Sequence, residues 1–160
     1  VTFPQGDAGA LEVGSQAPDF ELPNQFGEPV RLSSLRGSPV VIVFYPFAFS
    51  TICTGELGAI RDGRDVFASA GAQVLAVSVD SKFALRAFAE AEGYPFPLLA
   101  DFWPHGAVAR RYGVFDEASG MARRGTFILD REGTLRFRAV NPPGEPRGLG
   151  VYSAALADIR

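Results

Sequence analysis

Hydrophobic positions along the chain fall into two rhythms that take turns. "VVIVFY", Val40 to Tyr45, is an unbroken β-branched and aromatic run, and "VLAVSVD", Val74 to Asp80, is a second. Strands buried on both faces of a sheet read this way, because neither face alternates with polar residues. Pro46, with no backbone N–H to give a ladder, closes the first run. Elsewhere the apolar residues recur at helical spacing. Ile52, Leu57, Ile60 and Phe67 predict a helix from Thr51 to Ala70, although Gly55, Gly58 and Gly63 each cost about 1 kcal/mol relative to alanine. Ser81 is placed to cap another helix, with Ala84, Leu85 and Phe88 on one face and Gly93 as its stop. "PFPLLAD" predicts a short strand. "PHGAVARRYGV" predicts a short helix with Pro104 in its first turn and Gly113 at its exit.

Toward the N-terminus, "APDFELPNQFGEPVRLSSL" alternates around the turn "NQFGEP" and predicts a hairpin. "GTFILD", "REG" and "TLRFRAV" predict another. "GVYSAALADIR" sets Val151, Ala154, Ala155 and Ile159 at helical spacing, which predicts a closing helix packed on the sheet. Pro4, Gly6 and Gly9 mark residues 1–11 as a flexible arm and leave 12–160 as one domain. Strand–helix alternation followed by a hairpin and a helix predicts a mixed central sheet with helices on both faces, an α/β sandwich.

Composition narrows the function. A chain of 160 residues, 47% hydrophobic, can enclose one continuous core. A net charge of -3 argues against a general attraction to nucleic acid or anionic lipid. The pairs Arg110-Arg111 and Arg123-Arg124 are too short to form basic tracts. The most apolar run, "PVVIVFYPFAF", is too short and too broken by proline to span a bilayer, and the N-terminal residues lack both a basic start and an apolar stretch. The expectation is a cytoplasmic protein without a membrane or nucleic-acid partner. Fourteen arginines against one lysine reads as coding bias.

The only cysteine, Cys53, changes the picture most. It excludes an internal disulfide and a C-x-x-C redox motif, so disulfide chemistry must involve a second molecule. With Pro46 ending a strand and Ser50 or Thr51 capping the next helix, Cys53 falls in the first helical turn. Unpaired N–H groups and the positive dipole end there favour thiolate. Yet a thiol of pKa ~8.5 is already about 3% ionised at pH 7, so full ionisation accelerates attack at most roughly thirtyfold, or ~2 kcal/mol. Further acceleration requires donors aimed at the electrophile, for which Ser50 and an arginine are suited. Rival chemistries fare worse. His105 in "DFWPHG" lies where a histidine caps or packs, which disfavours a Cys-His hydrolase. "GLGVYS" lacks the later glycine of a dinucleotide fingerprint and opens no strand–helix unit. No cofactor and no metal is assigned.

"PFAFSTIC", Pro46 to Cys53, resembles the P-x-x-x-T/S-x-x-C signature of peroxiredoxins, with Ser50 where threonine is commoner. "APDFEL", "GEL" after the cysteine, "RGTFILDREG" and "FPLLADFWPHGAVARRYGVF" extend the resemblance, which is closest to the AhpE-type one-cysteine branch and runs from about residue 12 onward. It implies a thioredoxin-like fold with an N-terminal hairpin extension, and reduction of hydrogen peroxide, organic hydroperoxides or peroxynitrite. Carried over by position, Cys53 is the nucleophile that becomes a sulfenic acid, and Ser50 exchanges protons with the peroxide oxygens. Pro46 walls the pocket, and Arg124 favours thiolate and polarises the O–O bond. Glu56 orients that arginine, Arg147 is a second arginine near the pocket, and Arg123 faces solvent. The resemblance also implies an external reductant, a low-molecular-weight thiol such as mycothiol, a mycoredoxin or a thioredoxin-like protein. It implies a homodimer, with Phe102 and Trp103 as interface aromatics. The alternative is a redox-sensing or chaperone-like module whose Cys53 oxidises only as a signal.

Overall fold

Asn24 organises the first turn. Its side-chain oxygen accepts the N–H groups of Phe26 and Glu28 at 2.9 and 3.0 Å, an Asx arrangement that folds β1 (Glu21–Pro23) antiparallel onto β2 (Pro29–Arg31). The expected hairpin is therefore present. The structure is a computed structural model describing residues 11–142 and 144–159. Most of the expected arm, residues 1–10, lies outside the described residues. A short 3-10 turn, Leu32–Leu35, leads into β3 (Val40–Phe44), every residue of which is buried.

The segment expected as one helix is two, α1 (Thr51–Asp62) and α2 (Arg64–Ser69), broken at Gly63. A Cβ at Gly63 would collide with the Leu149 side chain, which sits against the bare backbone. Then come β4 (Gln73–Ser78), α3 (Lys82–Glu92) and β5 (Leu98–Ala100). α3 starts and stops where the sequence indicates. The Ser81 hydroxyl accepts the Ala84 N–H, and Gly93 takes φ +65°.

The next helix, α4 (Ala107–Arg111), begins later than expected. Asp101 takes the Val108 and Ala109 N–H groups at 3.1 and 2.9 Å, so Pro104 lies in the preceding turn and outside the helix. Two short strands, β6 (Phe115–Asp116) and β7 (Met121–Ala122), pair with each other. The hairpin β8 (Arg124–Leu129) and β9 (Leu135–Asn141) precedes α5 (Leu149–Ala157). α5 does pack, with the expected Ala155 and Ile159 against the core beside the more deeply buried Tyr152 and Leu156, whereas Val151 and Ala154 face outward. The ring of Tyr152 meets Phe67 of α2 edge-on, which turns the helix about its axis relative to the expected face.

The central sheet runs in the order β5-β4-β3-β8-β9. β3, β4 and β5 are parallel neighbours, β8 is antiparallel to β3, and β9 is antiparallel to β8. Alternate side chains of β3 enter two cores. Val41 and Val43 join residues of α1, α2, α3 and α5, while Ile42 and Phe44 join the N-terminal hairpin and α4. The expected α/β sandwich is thereby realised. No described helix is long and apolar enough to cross a membrane.

Candidate active site

In open α/β sheets the crevice beyond the carboxyl ends of parallel strands is the usual place for a ligand. Beyond β3, Tyr45 still donates its N–H to Val77 O at 3.0 Å, and the chain then turns through Pro46–Phe49 into α1. Cys53 is the third residue of that helix and is fully buried. Ser50 occupies the cap position, but its hydroxyl makes no capping bond. It donates instead to Phe47 O at 3.0 Å, while the Ser50 carbonyl receives the Thr54 N–H and hydroxyl. The sequence expectation of a Ser50 or Thr51 cap is corrected accordingly. The first turn of α1 opens without a capping side chain, so its N–H groups remain available to an anion.

Phe49 has φ +67°, a left-handed conformation that costs an L-residue roughly 1–2 kcal/mol. Two contacts hold it there. Its ring packs on Phe88 of α3 at 4.9 Å between centroids. The neighbouring Ala48 N–H donates to Asp80 Oδ2 at 2.8 Å. A hydrogen bond to a charged group contributes about 1.5–3 kcal/mol, enough to offset the strain.

The second half of the site comes from the antiparallel arm of the sheet. Thr126 of β8 faces Val43 of β3, so Arg124, two residues earlier, reaches the carboxyl end of β3 level with Tyr45. Glu56 lies one turn beyond Cys53 on α1, and residues three apart on a helix have Cβ atoms about 5–6 Å apart on one face. The buried Glu56 carboxylate accepts from Arg124 Nη1 through Oε1. It also receives three donors of Arg147: the backbone N–H and Nε at 2.8 Å each on Oε2, and Nη2 at 3.3 Å on Oε1. Arg147 Nη1 is tied to Gly125 O at 3.0 Å. Two guanidiniums thus meet one carboxylate, leaving one positive charge in excess within a cluster whose side chains are at most 7% exposed. Arg124 Nε is buried without a hydrogen-bond partner among the described residues. Such an uncommitted buried donor is expensive unless something else accepts from it.

Aromatic groups close the other side. Tyr45, Phe88 and Tyr94 belong to the same buried cluster as Cys53, and the Tyr94 hydroxyl donates to Thr54 O at 3.1 Å. Burial pushes the Tyr45 phenol far above its ordinary pKa, with the nearby Asp80 carboxylate adding to the shift. Tyr94 is raised as well, chiefly by burial. Both phenols stay neutral around a thiol.

All six residues singled out from the sequence lie at this end of the sheet. Pro46, Ser50 and Cys53 share the β3–α1 junction, and Glu56 joins Arg124 to Arg147. Arg123 is exposed, while His105 meets Gly120 O at 2.7 Å and packs edge-on against Phe115. Phe102 and Trp103 are exposed, Trp103 by 81%. Sequence reading missed Asp80. Its one available signal was its position, a carboxylate directly beyond a buried parallel strand.

A fold of this class, with a lone thiol at the start of α1, has clear relatives. The model of the AhpC/TSA family matches residues 13–138, and the chain belongs to that family. It is 46% identical to alkyl hydroperoxide reductase E of Mycobacterium tuberculosis over 150 residues, covering 93% of this chain and 98% of the relative. A putative peroxiredoxin of Synechocystis is 35% identical, covering 94% of this chain and 79% of the relative. Among solved structures, the peroxidoxin BcpB of M. tuberculosis superposes with a TM-score of 0.84 at 32% identity, over 94% of this chain and 99% of that one. AhpC of Enterococcus faecalis gives 0.83 at 31% identity, over 91% and 90%. The chain is thus an AhpE-like peroxiredoxin with one cysteine.

Proposed function

We propose that this chain reduces hydroperoxides through Cys53 and returns to the thiol at the expense of an external reductant. The observation that carries the reading is the buried Glu56–Arg124–Arg147 cluster. It sits one helical turn from the only thiol, with one positive charge in excess and the Arg124 Nε donor uncommitted. An anionic sulfur balances that charge, and a peroxide oxygen gives the donor an acceptor.

The Cys53 thiolate attacks one peroxide oxygen, the O–O bond breaks, and the leaving oxygen takes a proton to depart as water or an alcohol. Sulfur is oxidised to a sulfenic acid and the peroxide is reduced by two electrons. Arg124 donates to the oxygens as negative charge builds. Ser50 exchanges its bond to Phe47 O for one to the peroxide, while Pro46 keeps water from the sulfenate. Glu56 fixes both guanidiniums, and Arg147 fixes Glu56. An external thiol then condenses with the sulfenic acid to a mixed disulfide, releasing water. A second thiol exchanges to regenerate Cys53. Mycothiol with a mycoredoxin, or a thioredoxin-like protein, supplies those electrons in this reading, as fits a cytoplasmic protein. Phe47, Phe49 and Ile52, just before Cys53 in the chain, fit apolar hydroperoxides. Exposed Phe47, Phe49, Phe83, Phe102 and Trp103 follow the carboxyl ends of β3, β4 and β5, an apolar rim that fits a second copy of this chain.

Turnover separates an enzyme from a sensor, and the named activities of the relatives do not favour the sensor. Given excess low-molecular-weight thiol, the protein is expected to consume many equivalents of peroxide, and Cys53→Ser none. Consumption of a single equivalent, followed by arrest with every thiol and redoxin tried, would overturn the reading.

A further inference from the structure

We infer that Asp80 is a positioning residue of the peroxide site, an inference that rests on the peroxidase reading above. Asp80 lies outside the Pro46–Cys53 segment and outside the arginine cluster, yet its Oδ2 joins the central sheet to the loop that carries Ser50. That single oxygen accepts the Ser78 hydroxyl at 2.6 Å and the Ala48 N–H at 2.8 Å. Ser78 ends β4, between β3 and β5, and is fully buried, so the carboxylate is oriented by a residue fixed within the central sheet.

The grip falls where the loop needs it. The chain between Tyr45 and Ser50 is tied at its start by Tyr45 N–H to Val77 O. At its end, the Ser50 N–H and hydroxyl both fold back on Phe47 O. Ala48 lies between these ties and immediately before Phe49 with its φ of +67°. Without the Asp80 contact, Ala48 and Phe49 are free to relax toward ordinary backbone angles, and Ser50 turns with them. The Ser50 hydroxyl would then miss the peroxide, although Cys53 and the N–H groups of the first turn stay in their helix.

The role is one of geometry, which makes it separable from charge. The amide oxygen of asparagine can accept the same two bonds, whereas alanine accepts neither. Asp80→Ala is therefore expected to slow oxidation of Cys53 by hydrogen peroxide at least about tenfold, since a misplacement near 1 Å can cost up to ~10²-fold. Asp80→Asn should stay within about threefold of the native rate, because it retains both acceptor contacts. Alkylation by iodoacetamide, which needs the thiolate but no donors aimed at a peroxide, should change less than about threefold in both. General loosening would instead expose the buried thiol and speed alkylation.

The measurement is stopped-flow oxidation beside alkylation at one pH, on native protein and both variants. Where Asp80→Ala yields no folded protein, Ser78→Ala takes its place. That change keeps the carboxylate but frees it from the strand, and a slower oxidation is expected at an unchanged alkylation rate. An Asp80→Ala rate equal to native overturns the inference, as does an Asp80→Asn rate as low as that of Asp80→Ala, or a Ser78→Ala rate equal to native where it stands in. If native Cys53 itself oxidises no faster than free cysteine, the failure is that of the peroxidase reading.

Discussion

The two ends of strand β8 solve the same problems in opposite ways. At its far end, Asp130 Oδ1 receives the N–H groups of Glu132 and Thr134 at 2.9 and 3.0 Å, and the positive φ in that turn, +82°, falls on Gly133. Asp130 also pairs with Arg136 at 3.4 Å, where the arginine side chain is 47% exposed. At its near end, a positive φ falls on a phenylalanine, the aspartate that stabilises the loop comes from just beyond another strand, and the ion cluster is buried. The far turn is shaped by its own aspartate and glycine, and Ala17 and Gly37 only dock their N–H groups on its outward carbonyls. The near end is strained locally and held by contacts from β4, α1, α3 and the segment before α5. The difference teaches where evolution of function has overruled local preference, since a loop that only connects has no need of Phe49 in that geometry.

The widest gap between the ends should appear in their ion pairs. Glu56→Ala leaves two buried guanidiniums facing each other and should cost about 3–5 kcal/mol of stability by urea unfolding. Arg136→Ala at the exposed pair should cost under about 1 kcal/mol. Comparable losses would mean that the cluster is not the special feature of the near end. Next in size is Arg124→Ala. Because Arg147 still pairs with Glu56 in that variant, the fold should persist while peroxide oxidation of Cys53 falls about 10²–10³-fold. Rapid-quench thiol counting measures it, and a loss below threefold would remove Arg124 from the reaction.

The backbone contrast gives the smaller effects. Phe49→Gly relieves the left-handed strain but gives up the Phe88 contact, so stability should move by less than about 1 kcal/mol, whereas a looser loop should lower the peroxide rate about three- to tenfold. Gly133→Ala has room for its Cβ, whose nearest neighbours would be Arg36 Nε and Gln16 Oε1 at 3.4 Å. Only φ opposes it, for about 1 kcal/mol in thermal unfolding and no change in rate. A rate change at Gly133, or none at Phe49, would erase the distinction between the two ends.

Local signals made most of the scaffold legible. The buried strands, both hairpins and both ends of α3 follow from runs, turn residues and caps that act within a few residues. The break at Gly63 was not legible because it answers Leu149, far away in sequence. The buried face of α5 is likewise set by where Phe67 lies. β6 and β7 are too short to show alternation. The site divided along the same line. Pro46, Ser50 and Cys53 form a contiguous pattern, and resemblance to a family added Glu56, Arg124 and Arg147. The missing Ser50 cap and the grip of Asp80 on Ala48 required the loop itself, because a hydroxyl or carboxylate does not declare in sequence which backbone group it will choose.

The central claim is that this end of the molecule accelerates attack of Cys53 on a peroxide beyond what ionisation alone provides. Stoichiometric hydrogen peroxide mixed with the reduced protein, with free cysteine in parallel, tests it most directly. Complete ionisation accounts for at most roughly thirtyfold over free cysteine at pH 7, so the account requires a rate well above that limit, with Cys53 trapped as a sulfenic acid. A rate at or below that thirtyfold limit would contradict it.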